Sequence, residues 1–506
     1  MGLETLVNEF VAEHLPNCPT EWVRKFSGRK IVHDALWGTH PIPAHEIALL
    51  DTPLLQRLRS LHQTGAVYLT YPSAHHTRFE HTLGVVFQSG RLCDALKRAS
   101  VREPDRRIDR SFEDNVRFAA LLHDTGHGPF SHTSEQFYAS LREMEDFRER
   151  NPVLSESGAG EILSYLIARS TPMKDFVAAI NSVHETRLDC DLIGRLITGT
   201  TDASNIYMSE IVHGPFDADK LDYMPRDGLF SGLKMHVDLD RLYHSIRVKT
   251  AVINGESQTR IAGHVSGLSP LTQIMFNKML LFTGMYHHHK VRAVDCMLWA
   301  VFQLAQERDV RVGGNVLKTP VDFLRITDDR LLVPELCEDE DITSLLTDIR
   351  TRRLWKKALV IARNTVPESM HNEAGENPHP LFAGVAKLAG DEKEKIVQRR
   401  AIAKAIWDRA GRPCPEHAVW LDVPRLPGMT EAKKMWIEAP GQENPQTLEH
   451  FIPVDKWVEL YGTHQSRSHV FAPADVCQKI GQAAKDEFLE RFNLKFLPEA
   501  TAFAKS

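Results

Sequence analysis

The segment ALLHDTGHGPFSHTSE, residues 120–135, places a histidine beside an aspartate at the end of an apolar run. A neutral imidazole and a carboxylate both ligate borderline divalent cations, and adjacent residues converge on one ion only where a helix ends and the backbone turns. Gly126, Gly128 and Pro129 supply that turn. His123 and Asp124 alone do not complete a coordination sphere, so a further imidazole upstream and a further carboxylate downstream are expected. His81, in HTRFEHTLGV, and Asp219, in PFDADKLDYMPRDG, are the candidates. Two imidazoles and two carboxylates suit one divalent ion per chain, and Mn, Fe, Zn and Mg all remain open.

The elements that must carry these ligands are helical. In DTPLLQRLRSLHQTG, Asp51 or Thr52 can cap, Pro53 suits a first turn, and Leu54, Leu55, Leu58 and Leu61 recur at helical spacing. From Ile31 to that point the chain reads as an irregular entry. Helices are expected over 80–97, 113–123, 135–148, 160–168, 218–224, 271–302 and 398–410, with a last one in APADVCQKIGQAAKDEFLERF. On the 218–224 helix, Asp219, Tyr223 and Asp227 recur every four residues and share a face. After about residue 310, VRVGGNVLKTP, EHAVWLDVPRL and KKMWIEAPG contain β-like pieces. The expected architecture is therefore mainly α, with a helical core over 1–310 and a smaller mixed α/β lobe over 311–506. The polar stretch 367–380 reads as a loop. No internal repeat or low-complexity tract is present.

The 506 residues are 42% hydrophobic and 25% charged, which is the composition of a globular protein, and no apolar run is long enough to span a bilayer. The N-terminal residues carry acids where a signal peptide carries bases. Seven scattered cysteines without CxxC pairing fit a reducing cytoplasm and argue against a zinc ribbon. A cytoplasmic protein with no membrane partner is the expectation. A net charge of -6 provides no general field for nucleic acid, so a polyanion would need a local site. The basic runs at 102–110, 350–357 and 398–404 read as solvated faces. The 25 histidines cluster around 75–81, 123–132 and 287–289. Consecutive residues on a helix point in different directions, so the 287–289 triplet cannot all serve one ion.

In order, LLQRLRSLHQTG, HHTRFEHTLGV, LLHDTGHGPFSH, VHGPFDADKLDYMPRD and YHHHKV make residues 31–300 resemble the HD-domain deoxynucleoside triphosphate triphosphohydrolases, bacterial dGTPases and their animal relative. The resemblance implies His81, His123, Asp124 and Asp219 as metal ligands, and His127, His132 and Glu135 as residues that activate or relay protons. It puts Arg78, Lys220 and Tyr223 on phosphate-contacting positions, Gln63 and Asp227 at the sugar 3′-hydroxyl, and His289 near the substrate. The implied reaction is metal-dependent hydrolysis of a nucleotide, with triphosphate leaving in one piece after attack at the α-phosphorus. A further Mg ion would accompany the nucleotide.

The chain departs from the animal-type pattern at two places. Ser155 stands where those enzymes carry a histidine, beside a retained Glu156, and Met279, Thr283 and His287 replace an Arg, a His and a Tyr. Two rival readings follow: an HD phosphohydrolase, phosphodiesterase or nuclease acting on another nucleotide or on single-stranded nucleic acid, and a nucleotide-binding regulatory protein with weakened catalysis. The family resemblance further implies a homo-oligomer and, through basic clusters, a regulatory nucleotide or single-stranded nucleic acid as partner.

Overall fold

The computed structural model describes residues 2–100, 108–253, 255–368, 385, 387–390, 392–425, 430–442, 444–457, 465 and 467–502. The chain is mainly helical, with small sheets of two, three and four strands. It divides into two compact units, one comprising Met1–Lys278, Lys318–Asp329 and Met429–Ile452, the other the remaining segments. Among the described residues no helix is long and apolar enough to cross a membrane.

Six helices of the first unit carry or brace the residues singled out above: α1 (Arg78–Ser100), α2 (Arg110–Leu122), α3 (His132–Tyr138), α4 (Ala159–Arg169), α5 (Cys190–Thr198) and α6 (Ala218–Ser231). Helix α2 begins where the Asp109 carboxylate accepts the Phe112 N–H at 2.8 Å, satisfying one orphan donor of the first turn. Its Val116 and its closing run from Phe118 to Leu122 are fully buried. Helix α1 packs against both α2 and α6, and α5 packs against α2 and α4. Burial of these apolar faces, at ~25 cal/mol per Å², is the driving force that holds the helices at one register. Leu54, Leu55, Leu58 and Leu61 are all buried as their spacing predicts. They lie on a short α-helix, Pro53–Gln56, followed by a 3-10 turn, Arg57–Ser60.

Several elements differ from their sequence-based expectation. The entry to the core is an antiparallel hairpin, Arg29–Asp34 with Gly38–Pro43, closed because Asp34 Oδ1 accepts the N–H groups of Leu36 and Trp37 and Gly38 takes φ 75°. A second hairpin, Ile246–Ile253 with Glu256–His264, interrupts the expected helical region, and Gly255 at φ 83° serves its tight turn. It continues in parallel onto Trp436–Glu438, which pairs with Gln446–Thr447. The helix expected over 135–148 is two, α3 and Arg142–Arg150. The helix expected over 271–302 is also two, Leu268–Leu281 and His289–Arg308, separated by a π turn over Phe282–Tyr286. The VRVGGN stretch forms only a bridge between Val312 and Asn315 around Gly313 and Gly314, both at positive φ.

In the second unit the Lys356–Ile361, Trp420–Asp422 and Ser468–Ala472 strands form an antiparallel sheet with the last strand central. Leu359, Ile361, Leu421 and Val470 share its core with Ile402 and Ile406 of the Lys393–Arg409 helix and Ile480 and Phe488 of the Cys477–Phe492 helix. The stretch 369–380 of the expected loop and residues 102–107 of the first basic run lie outside the described residues.

Candidate metal centre

His81 sits in the first turn of α1. The backbone N–H of Thr77 donates to Glu80 at 2.5 Å, and the Thr77 hydroxyl donates to the same carboxylate, which fixes the helix start. His123 follows the last residue of α2, and its Nδ1 hydrogen-bonds the Ala120 carbonyl at 2.7 Å, so Nε2 is the free face of the ring. The turn after it is clamped by Ser164 of α4. Its hydroxyl donates to the His123 carbonyl at 2.6 Å and accepts the Gly126 N–H at 2.8 Å. A β-carbon on Gly126 would stand 2.1 Å from the Gly160 carbonyl oxygen, so only glycine allows α4 to approach. Asp219 lies in the first turn of α6, which Asp217 caps by accepting the Lys220 N–H at 2.8 Å.

These elements bring three acceptor-bearing side chains to one point and set a fourth, Asp219, against His81. His81 Nε2 lies 3.4 Å from His123 Nε2, 3.0 Å from Asp219 Oδ1 and 3.7 Å from Asp124 Oδ2, while His123 Nε2 is 3.4 Å from Asp124 Oδ1. One ligand atom from each of His81, His123 and Asp124 falls within 4.8 Å of the others, a spacing that can hold a divalent ion. The field supports a cation there. Burial opposes charge on His81, yet Asp219 and Asp222 pull its pKa up to about 10, and the position that retains an extra proton suits a metal ion in its place. Asp124 is likewise held well below the usual carboxylate range: burial raises it, but Arg78 and the three surrounding histidines outweigh that. The donor set, two imidazoles and two carboxylates, therefore fits a divalent ion.

Asp222 was not anticipated from the sequence. Its Oδ2 accepts a hydrogen bond from His81 Nδ1 at 2.8 Å, which turns Nε2 toward the cluster. Asp222 is in turn gripped by Arg226, at 2.8 and 2.9 Å, and by the Trp37 indole N–H, and Arg226 reaches Asp34 of the first hairpin at 2.9 Å. Its position one turn beyond Asp219, with an arginine four residues further on, was the available signal.

A second cluster adjoins the first. His132 Nδ1 donates to Glu135 Oε2 at 2.8 Å, and Glu135 Oε1 accepts the Gly160 N–H at 2.8 Å. His127 lies between the clusters, with Nε2 3.5 Å from Asp124 and Nδ1 3.5 Å from Glu135. Burial and the neighbouring Arg78 push His127 down to about 3, so it is neutral at neutral pH. Loss of water around His132 opposes its charge, but the Glu135 carboxylate outweighs that and raises its pKa, although the ring is 75% exposed. Two histidines 5.4 Å apart between ring centres thus have pKa values shifted in opposite directions.

The remaining candidates are placed as follows. Arg78 is buried, with Nη1 2.6 Å from Asp124 Oδ2 and Nη2 donating to Ser131 Oγ. Lys220 Nζ donates to Asp217 at 2.7 Å and to the Gly214 carbonyl at 2.9 Å. Tyr223 is half-buried one helical turn beyond Asp219. The Gln63 N–H donates to the His76 carbonyl at 3.0 Å, while its buried side-chain Oε1 has no hydrogen-bond partner among the described residues. Asp227 is buried and receives His76 Nε2 at 2.7 Å. His289 belongs to the second unit, at the first residue of its helix, with its ring stacked on His288 at 4.5 Å. Ser155 is exposed and donates to the Pro152 carbonyl at 2.7 Å.

Residues 78–197 match the family model described as the HD domain, and residues 264–493 match the one described as the HD associated region. The chain thus contains an HD domain. This HD-domain chain is 26% identical over 335 residues to the Deoxynucleoside triphosphate triphosphohydrolase SAMHD1 homolog of Dictyostelium discoideum, covering 65% of this chain and 59% of the relative. It is 28% identical over 365 residues to the Deoxynucleoside triphosphate triphosphohydrolase SAMHD1 of Mus musculus, covering 65% and 53%. An uncharacterized protein of Methanocaldococcus jannaschii is 27% identical over 308 residues, covering 60% and 56%. The matched part of these relatives is thus between 53% and 59% of their length.

Proposed function

We propose that this HD-domain protein is a metal-dependent phosphohydrolase that cleaves nucleoside triphosphates, deoxy forms included, into nucleoside and inorganic triphosphate. The observation that carries the reading is the convergence of His81, His123 and Asp124 around one point, with Asp219 3.0 Å from His81 and a buried arginine alongside. The names of two relatives support the substrate class. A divalent ion held by the four ligands would supply Lewis acidity, lowering the pKa of water and offsetting phosphoryl charge.

The protein's own groups do the rest. Arg78 and Lys220 offer fixed positive charge to the phosphate oxygens, where negative charge gathers in the transition state. Neutral His127 orients the attacking water by accepting a hydrogen bond from it, and the proton the water sheds leaves to solvent. His132, whose pKa Glu135 raises, hands a proton to the 5′-oxygen as the bond to the α-phosphorus breaks. Gln63 presents a buried amide oxygen and Asp227 a carboxylate, and both can accept from a sugar 3′-hydroxyl.

The test is incubation of purified, metal-loaded protein with dNTPs, NTPs and single-stranded DNA, with products resolved chromatographically. Nucleoside and triphosphate from a dNTP in the first turnover support the reading. Release of orthophosphate or pyrophosphate first, or cleavage of DNA alone, would replace it with an HD phosphohydrolase of another substrate. That second reading draws on Ser155, which is exposed and hydrogen-bonded to a backbone carbonyl, so no imidazole is offered at that position.

A further inference from the structure

The segment Lys318–Asp329 lies far along the chain from the ligand-bearing helices yet belongs to the first unit. It docks there through Phe323, whose ring packs on Phe137 and Tyr138 at 5.9 and 5.5 Å, and through Arg325, which pairs with Glu13. Its last buried residue is Asp328, 1% exposed. One Asp328 oxygen accepts both the backbone N–H and the ring Nδ1–H of His62 at 2.7 Å, and the other accepts the Phe130 N–H at 2.7 Å. A single carboxylate thus ties two loops, 62–65 and 130–131, that are otherwise distant in sequence.

Both loops need such a tie. Phe130 and Ser131 take φ 56° and 59°, left-handed values that side chains with a β-carbon rarely hold without outside restraint. Gly65, at φ 58°, lies so close beneath them that a β-carbon there would stand 2.9 Å from the Phe130 carbonyl oxygen. What the strained turn presents is the Ser131 hydroxyl. It donates to the Gln63 carbonyl at 3.0 Å and accepts from Arg78 Nη2, while Arg78 Nη1 rests on Asp124. The path therefore runs from Asp328 through Phe130 and Ser131 to the guanidinium beside the metal ligands, and through His62 to Gln63.

We infer that Asp328 is a positioning residue for the phosphate- and sugar-contacting groups, holding the Phe130–Ser131 turn that aims Arg78 and the His62–Gln63 loop that presents Gln63. The inference rests on the functional reading above. The HD associated region thereby contributes one buried charge to the alignment of the HD-domain site.

The test uses the full, metal-loaded chain and inorganic tripolyphosphate as the probe, with binding measured by calorimetry and metal content measured on the same samples. Asp328→Asn retains size but places an amide N–H against N–H donors. It is expected to weaken tripolyphosphate binding by about tenfold or more, because a small displacement of a positioned group is costly, with metal content unchanged. The double variant Asp328→Asn/Ser131→Ala is expected to be no worse than the weaker single variant, since both changes cut one path. Wild-type affinity in Asp328→Asn, or losses that multiply in the double variant, would overturn the inference. If Asp328→Asn does not fold, Ser131→Ala alone decides: a loss of about tenfold supports the path, and unchanged binding sinks it. If the wild-type chain neither binds tripolyphosphate nor hydrolyses nucleotides, the functional reading fails, and hydrogen exchange over 126–135 still judges the tie. Lost protection in Asp328→Asn upholds it, and unchanged protection refutes it.

Discussion

His81 and His123 turn their Nε2 atoms toward each other at 3.4 Å while the Nδ1 of each ring is engaged elsewhere, one with Asp222 and the other with the Ala120 carbonyl. Two ring nitrogens brought this close beside two carboxylates form a cluster of acceptors that a cation completes. The Asp222 contact orients His81, so Asp222→Asn is expected to lower metal affinity by roughly 10- to 100-fold in a folded protein. Competition with a chelator reads this directly, and an unchanged affinity would reduce Asp222 to a packing role.

The His132–Glu135 pair predicts a pH signature. Glu135 raises the His132 pKa, so a rate that needs protonated His132 is full below that value and falls as pH rises through it. Glu135→Gln removes the carboxylate, lowers the His132 pKa and moves the alkaline limb of the kcat profile to lower pH. His132→Ala is expected to reduce kcat by roughly 10²-fold with metal still bound. An alkaline limb that does not move in Glu135→Gln would show that another group sets it.

Gly160 is where α4 meets His127. A β-carbon there would lie 2.8 Å from the ring, so Gly160→Ala must push His127 aside or lift the helix. The expected outcome is a fall in kcat of about tenfold or more with retained metal, read by parallel activity and metal assays. Wild-type kcat in the folded variant would remove His127 from the chemistry.

Gln63 and Asp227 carry the prediction about the sugar. If both meet the 3′-hydroxyl, a 2′,3′-dideoxynucleotide leaves buried polar groups unmatched at a cost of about 1 to 3 kcal/mol in transition-state binding. Steady-state comparison of one dNTP with its dideoxy form should therefore show a lower kcat/KM for the latter. Equal values would detach both residues from substrate recognition.

The site was more legible in the sequence than the elements around it. His81, His123, Asp124 and Asp219 could be proposed as ligands because metal ligation restricts residue types, and the structure brings the first three together with Asp219 beside His81. Asp222 and Asp328 were harder to read because a carboxylate that orients another residue has no distinctive spacing. Asp328 meets its partners across 198 and 266 residues. The 246–264 hairpin did carry a signal, an Asn-Gly pair between β-branched runs, which the helical pattern around it masked. The break at 282–286 contains no proline to announce it, and only the backbone geometry reveals the π turn.

The most direct measurement removes and restores the metal in wild-type protein and in Asp124→Ala, following triphosphate release from one dNTP alongside metal content. The expected result is that stripped wild-type protein is inactive and recovers with about one divalent ion per chain, whereas Asp124→Ala neither retains the ion nor recovers. Full triphosphate release by the stripped wild-type protein, or an active Asp124→Ala with one ion bound, would contradict the account.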